Sequence, residues 1–260
     1  MLFPLRLACC AFTLIATCPA ALSQSLPPRD PQAIVALQLA EMAMGRASAT
    51  ALQDTSATVR IVSGNPDMPA TTGTIRTLGR DRLRTDWTSS EGASWHIVNA
   101  TGSFLKLGTK EERFISRKSL PGGGITHLPM LSTVSEWADF RTKLEYLGPE
   151  QDGAQTFLHV RILRPASIPN TGEFDEPIEI FLDPQTALIH KVVFPVRAPV
   201  NLLISEPMEV VYRDYRVVAG MAVPFRVTYR VRGNLLSECE ITSFAVNQGV
   251  NPNDFEVVRP

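Results

Sequence analysis

Met221-Ala222-Val223-Pro224-Phe225-Arg226-Val227-Thr228-Tyr229-Arg230-Val231 is the stretch that decides the fold. Met221, Val223, Phe225, Val227, Tyr229 and Val231 share one side of a two-residue period. Ala222, Pro224, Arg226, Thr228 and Arg230 share the other. This is the pattern of an antiparallel sheet with one dry face and one wet face. At about 3.3 Å per residue the strand runs for more than about 30 Å. Pro224 has no N–H to give to a ladder, which predicts an edge position or a bulge there.

The same period extends outward in both directions. Ala57, Val59 and Ile61 alternate with Thr58 and Arg60; Leu83, Thr85 and Trp87 alternate with Arg84 and Asp86; Ile178, Ile180 and Leu182 alternate with Glu179 and Phe181. Turn signals such as Gly64-Asn65-Pro66, Gly79-Arg80-Asp81, Asp152-Gly153, Asp183-Pro184, Ala219-Gly220 and Gly233-Asn234 punctuate these runs. About ten to twelve strands joined as hairpins are expected, and a sheet that long tends to curl. Two segments break the pattern with a helical period. Asp30 is a good N-cap, Pro31 suits the first helical position, and residues 31–44 carry Ile34, Leu37 and Met42 with Val35, Leu39 and Ala43. A mid-chain helix is expected from His127 to Ala138, after Gly122-Gly123-Gly124. The Pro-rich stretch from Arg164 to Pro177 reads as a long loop or flap.

The chain has 260 residues, 44% apolar and 20% charged, with 25 Lys plus Arg against 26 Asp plus Glu. That balance excludes a disordered chain and gives none of the basic excess of a nucleic-acid binder. Arg6, the apolar run from Leu7 to Ala16 and the small residues around Ala21 and Ser23 read as a signal peptide cut after Ser23. The run is too short to span a membrane, and no transmembrane span is expected in the mature chain. Residues 24–29, with Pro27 and Pro28, read as a linker, and residues 30–260 as one domain. The expected location is periplasmic or secreted. Thr17, where a lipobox places a small residue, argues against an outer-membrane lipoprotein anchored through Cys18. Cys239 is the one cysteine after Ser23, so no internal disulfide is expected.

Phe181-Leu182-Asp183-Pro184-Gln185-Thr186-Ala187-Leu188-Ile189 resembles the strand–turn–strand element of LolA/LolB-like periplasmic proteins. So does Asp214 to Val227. The ending from Glu240 to Asn247, followed by Asn253-Asp254-Phe255, resembles their last strand and exit, and the helix at Asp30 and the export segment fit as well. The resemblance covers most of residues 30–257 and looks closest to a secreted bacterial branch of that superfamily. It implies a mainly β fold: a strongly curved antiparallel sheet forming an unclosed barrel, covered by the N-terminal and mid-chain helices. Members of the superfamily carry lipoproteins across the periplasm, receive them at the outer membrane, or sense envelope lipids and bind a regulator.

A curved sheet with an apolar concave face must fill that face with side chains, helices or a guest. The candidate lining is Leu83, Trp87, Trp95, Ile97, Leu158, Val160, Phe225 and Tyr229. The expected partner is an apolar small molecule, a lipid or a lipid-modified protein, with an envelope protein as a second kind of partner and no nucleic acid. No catalytic set, metal site or cofactor is expected: His96, His127, His159 and His190 are far apart in sequence, and there is no Gly-x-Ser-x-Gly elbow or phosphate loop. Twenty of the 25 basic residues are Arg. Arg76, Arg80, Arg82 and Arg84 cluster on one hairpin and Arg226, Arg230 and Arg232 on another. Pairing with Asp81, Asp86, Glu238 or Glu240 is expected for them, with a lipid headgroup or acidic partner as the alternative. An open apolar cavity favours a carrier, a filled barrel with an exposed apolar patch favours a regulatory module, and a polar pocket with two titratable groups in hydrogen-bond reach favours an enzyme.

Overall fold

The computed structural model describes residues 26–79, 81–89, 92–110, 113–115, 127–129, 137–168, 172–198 and 201–257. The expected signal peptide, its cut site and Cys18 lie outside these residues, as does most of the expected helix from His127 to Ala138.

The alternating runs form one antiparallel sheet of 13 strands. In chain order they are β1 (Asp54–Ser63), β2 (Thr71–Leu78), β3 (Arg82–Ser89), β4 (Gly92–Asn99), β5 (Gly102–Lys106), β6 (Arg113–Ile115), β7 (Lys143–Asp152), β8 (Gln155–Ile168), β9 (Gly172–Leu182), β10 (Ile189–Ala198), β11 (Asn201–Val218), β12 (Met221–Val231) and β13 (Asn234–Val246). The chain steps outward from β1 to β6, crosses to the far edge at β7, and returns strand by strand until β13 pairs with β1. β6 and β7 are the two ends of the sheet and do not pair, so the barrel is unclosed and curved. Register shifts at Thr58/Val59, Tyr146/Gly148 and Tyr229/Arg230 add local twist, as bulges do.

The prolines sit where a ladder has stopped. β12 is a central strand, contrary to an edge position. Its pairing with β13 begins at Arg226, so Pro224 lies beyond the last rung on that side. The expected flap from Arg164 to Pro177 is instead the continuation of the β8–β9 hairpin, paired from Leu158↔Leu182 to Ile168↔Gly172. Pro165 lies past the end of the β7 ladder and Pro177 past the end of the β10 ladder. A missing N–H there leaves no neighbouring strand without its donor.

Helix α1 (Pro31–Ala43) is capped by Asp30, whose side chain accepts from the Gln32 N–H at 2.7 Å. Its packed face is Ala33, Ala36, Leu37 and Ala40, continued by Met44; Val35, Leu39 and Met42 are exposed. Small residues let the helix lie close against β7 and β8. Pro28, in the segment expected to be a linker, and Asp30 just after it hydrogen-bond to Leu144 of β7, which occupies part of that open edge.

A five-residue helix α2 (Arg46–Thr50) follows. At the joint, Gly45 has φ +84 and packs against the β11–β12 turn; a Cβ there would fall 2.1 Å from the Gly220 carbonyl oxygen. Both the left-handed backbone and the contact exclude a side chain. Gly45→Ala is expected to lower the unfolding free energy by about 2–3 kcal/mol, read from the urea midpoint. A change under about 0.5 kcal/mol would show that the joint yields freely.

Of the arginines expected to be paired, Arg76, Arg84, Arg226, Arg230 and Arg232 are, though partly with other acids, and Arg82 forms no ion pair among the described residues. Arg84 Nη2 meets Asp86 at 2.8 Å, and Arg76 bridges Asp86 and Asp254. Arg230 pairs with Glu209 and Arg232 with Glu206, both on β11. Arg226 reaches Glu238 at 3.7 Å. Arg80 lies outside the described residues. A 3-10 helix (Pro252–Phe255) packs on the convex face at β3 and β4, where Asn99 Nδ2 donates to the Phe255 carbonyl at 2.9 Å.

Candidate functional site

Directly opposed residues of an antiparallel pair point to the same face. Leu83 opposes Val98, Thr85 opposes His96 and Trp87 opposes Ser94, so these six share the concave face of β3 and β4. Thr77, Ile75 and Gly73 oppose Leu83, Thr85 and Trp87 and extend the face to β2. Through Ile61↔Cys239 and Tyr229↔Ser237 it continues across β1, β13 and β12.

α1 covers only the other half of the concavity. On that side Leu37, Leu144, Val160, Ile162, Ile178, Ile180 and Val192 pack into a closed core. The β1–β4 half retains a cavity of two joined lobes. An outer lobe of about 740 Å³ lies between Trp87, Leu105 and Ile61, with Met68, Pro69 and Ala70 of the β1–β2 connection at its rim. An inner lobe of about 280 Å³ lies under His127, between Leu83 and Ile75 on one side and Phe194, Met208 and Tyr229 on the other. Ile61, Thr85, His96, Leu236 and Ser237 line both. Among the described residues no Asp, Glu, Lys or Arg lines either lobe. Gly73 faces Trp87 across the ladder, where a Cβ would fall 2.6 Å from the Asp86 carbonyl oxygen and 3.2 Å from the Trp87 Cβ, so only glycine lets the two strands approach this closely.

The eight expected lining residues divide accordingly. Leu83, Trp87 and Tyr229 line the cavity. Trp95 and Ile97 do not: they oppose Asp86 and Arg84, so they face the convex side. Leu158 and Val160 lie on the concave face but in the half filled under α1. Phe225 is core, with the Arg216 guanidinium 4.2 Å from its ring centre. On β4 Trp95 and Ile97 alternate as well as Ser94, His96 and Val98 do, so the period alone does not say which set faces inward. The polar lining of Thr85, His96, His127 and Ser237 carried no signal in the sequence, where a strand histidine looks like any other polar residue.

His96 Nε2 is 2.8 Å from Ser103 Oγ. His127 is buried, and its Nε2 has no hydrogen-bond partner. Burial pushes both imidazoles down from 6.5 to about 4, so both are neutral at pH 7. The unfolded chain takes up protons at these groups below about pH 6.5, whereas the folded chain resists until about 4. The stability they contribute is therefore complete above pH 6.5 and falls as the pH drops toward 4. The urea midpoint is expected to decrease from pH 7 to pH 5, with a flatter decline in the H96Q/H127Q double variant. Parallel declines in the two proteins would contradict this assignment.

The other two histidines are outside the cavity. His159 stacks on Phe181 and sits between Glu150, at 2.5 Å, and Glu179, at 2.7 Å. His190 stacks on Phe157. Cys239 is buried at the inner lobe, and burial raises its thiol to about 12, which suppresses thiolate chemistry. Among the described residues no three His, Cys, Asp or Glu side chains gather as metal ligands. No helix among them is long and apolar enough to cross a membrane.

No protein-family model matches the chain, and no curated protein matches it. Solved structures do. A domain named for outer-membrane lipoprotein sorting, from Vibrio parahaemolyticus, superposes with a TM-score of 0.55 at 16% identity, covering 86% of this chain and 97% of that one. A LolA superfamily protein from Nitrosomonas europaea superposes with a TM-score of 0.53 at 9% identity, again over 86% and 97%. With the open 13-stranded sheet, its concave face and the helix laid into it, the chain has the LolA-like fold.

Proposed function

We propose that this protein is a periplasmic or secreted binding protein for a lipid, a lipoprotein acyl chain or another apolar ligand, held in the concave face between β1–β4 and β12–β13. Residues 1–23 act as its export segment and residues 30–260 as a single half-barrel domain. The observation that carries this reading is the two-lobed cavity, with no charged side chain among the described residues that line it. Its size lies within the range of small-molecule sites. Each buried CH₂ contributes about 0.8 kcal/mol, so a fourteen-carbon chain gives on the order of 10 kcal/mol before ordering costs. A ligand of that kind needs no ion pair to bind usefully. The similarity to a fold that includes a protein named for lipoprotein sorting supports the same ligand class.

The alternative, an envelope-sensing interaction module without carrier activity, calls for an interior filled by its own side chains. Half of the concavity is filled by α1 and half is not, which favours the carrier reading. Native mass spectrometry of the protein purified from a cell envelope tests it. A co-purifying lipid or lipidated peptide is expected, and an added acyl ligand should raise the melting temperature. Protein that carries nothing and gains no stability from any acyl ligand would overturn it.

A further inference from the structure

The cavity described for an apolar ligand is not uniformly apolar at its inner end. His127 lines the inner lobe, is 4% exposed, and leaves its Nε2 without a partner. Buried polar atoms are rarely left so unless a water or a ligand completes them. His96, Thr85 and Ser237 stand at the neck between the lobes and add hydroxyl and imidazole groups to the same wall. Thr85 and His96 oppose each other directly across β3 and β4, so they sit side by side on this wall.

We propose that His127 is the polar anchor of the inner lobe, and that the ligand carries an uncharged hydrogen-bonding group, a hydroxyl or an ester or amide carbonyl, which enters first and meets it. This rests on the binding-protein reading and narrows its ligand class. A neutral imidazole has one N–H donor and one acceptor nitrogen, so Nε2 can complete either kind of group according to its tautomer. An anionic head is disfavoured there. Among the described residues no Lys or Arg lines either lobe, and burial keeps both imidazoles uncharged, so none of these residues offers a counter-charge to a carboxylate or phosphate in the inner lobe. The hydrocarbon portion then lies in the larger outer lobe, against Trp87 and Leu105, and leaves past Met68 and Pro69.

The test uses the full mature protein, stripped of lipid, and three ten-carbon probes: 1-decanol, 1-decene and decanoate. Binding is read by titration calorimetry for the wild type, His127→Phe and His127→Gln, each checked for folding by near-ultraviolet circular dichroism. Expected are a wild-type affinity for decanol about tenfold or more above that for decanoate, and about a tenfold loss of decanol binding in H127F. Decene should bind H127F within about twofold of wild type, and H127Q should recover part of the decanol affinity. Equal decanol binding by wild type and H127F would overturn the anchor and leave a bridging water as the partner of Nε2. Equal wild-type binding of decanol and decanoate would also overturn it, and that arm decides even if neither variant folds. Failure of all three probes to bind wild type would instead count against the binding-protein reading itself.

Discussion

Glu176→Ala is expected to lower the unfolding free energy by about 3–5 kcal/mol. Glu176 is 2% exposed on β9 and is shared by two arginines. Arg164 of β8, its direct cross-strand neighbour, meets one carboxylate oxygen, and Arg197 of β10 meets the other at 3.1 Å. Both guanidiniums have side chains only 11% exposed, and Arg197 also lies over the Phe174 ring. The cluster ties three consecutive strands together in the hairpin that the sequence presents as a Pro-rich loop. Removing the carboxylate brings two positive charges face to face where little water reaches, while the desolvation of each remains. Converting all three residues to apolar ones of similar volume should cost far less, because it removes the buried carboxylate and both guanidiniums together. Urea unfolding of E176A and of the apolar triple variant measures both. A midpoint for E176A equal to wild type, or a triple variant weaker than E176A, would contradict this account.

Ser237→Trp is expected to abolish binding of acyl ligands, by about a hundredfold or more, with little loss of stability. Ser237 lines both lobes and is opposed by Tyr229 across the β12–β13 pair. An indole at that position would enter existing space at the neck rather than displace packed atoms, so the overpacking penalty is avoided. It would occupy room that a chain needs to pass from the outer lobe to the inner one. Displacement of a fluorescent acyl probe gives the affinity, and the thermal midpoint reports the fold. Full binding by a stable S237W protein would mean that the ligand does not use this cavity.

The broad architecture was legible because a two-residue period is a direct consequence of strand geometry. Met221–Val231 is one strand as written, Asp30 caps α1, and the turn signals fall between strands. The sheet has thirteen strands where about ten to twelve are expected, and β8 and β9 run on through Pro165 and Pro177 where a loop is expected. Proline is a poor guide there: it forbids a donor on one side only, and neighbouring ladders had already ended on that side. The cavity was less legible. Leu83, Trp87 and Tyr229 line it, whereas Trp95 and Ile97 alternate equally well and face the other way. A strand's period says that its faces differ, not which face a given parity occupies; that depends on register with the next strand.

Local chemistry along the chain was enough to determine an extended, alternating, hairpin-joined β protein with one capped helix near its start, since propensity, period and turn residues act over a few positions. Where the sheet stays hollow is a property of the assembled molecule. α1 packs on β7 and β8, and His127 comes to rest at the cavity in the part of the chain that crosses from one sheet edge to the other. Those placements depend on contacts between residues far apart along the backbone, and nothing in the residues themselves states how far a helix will extend across a curved wall or what space it will leave.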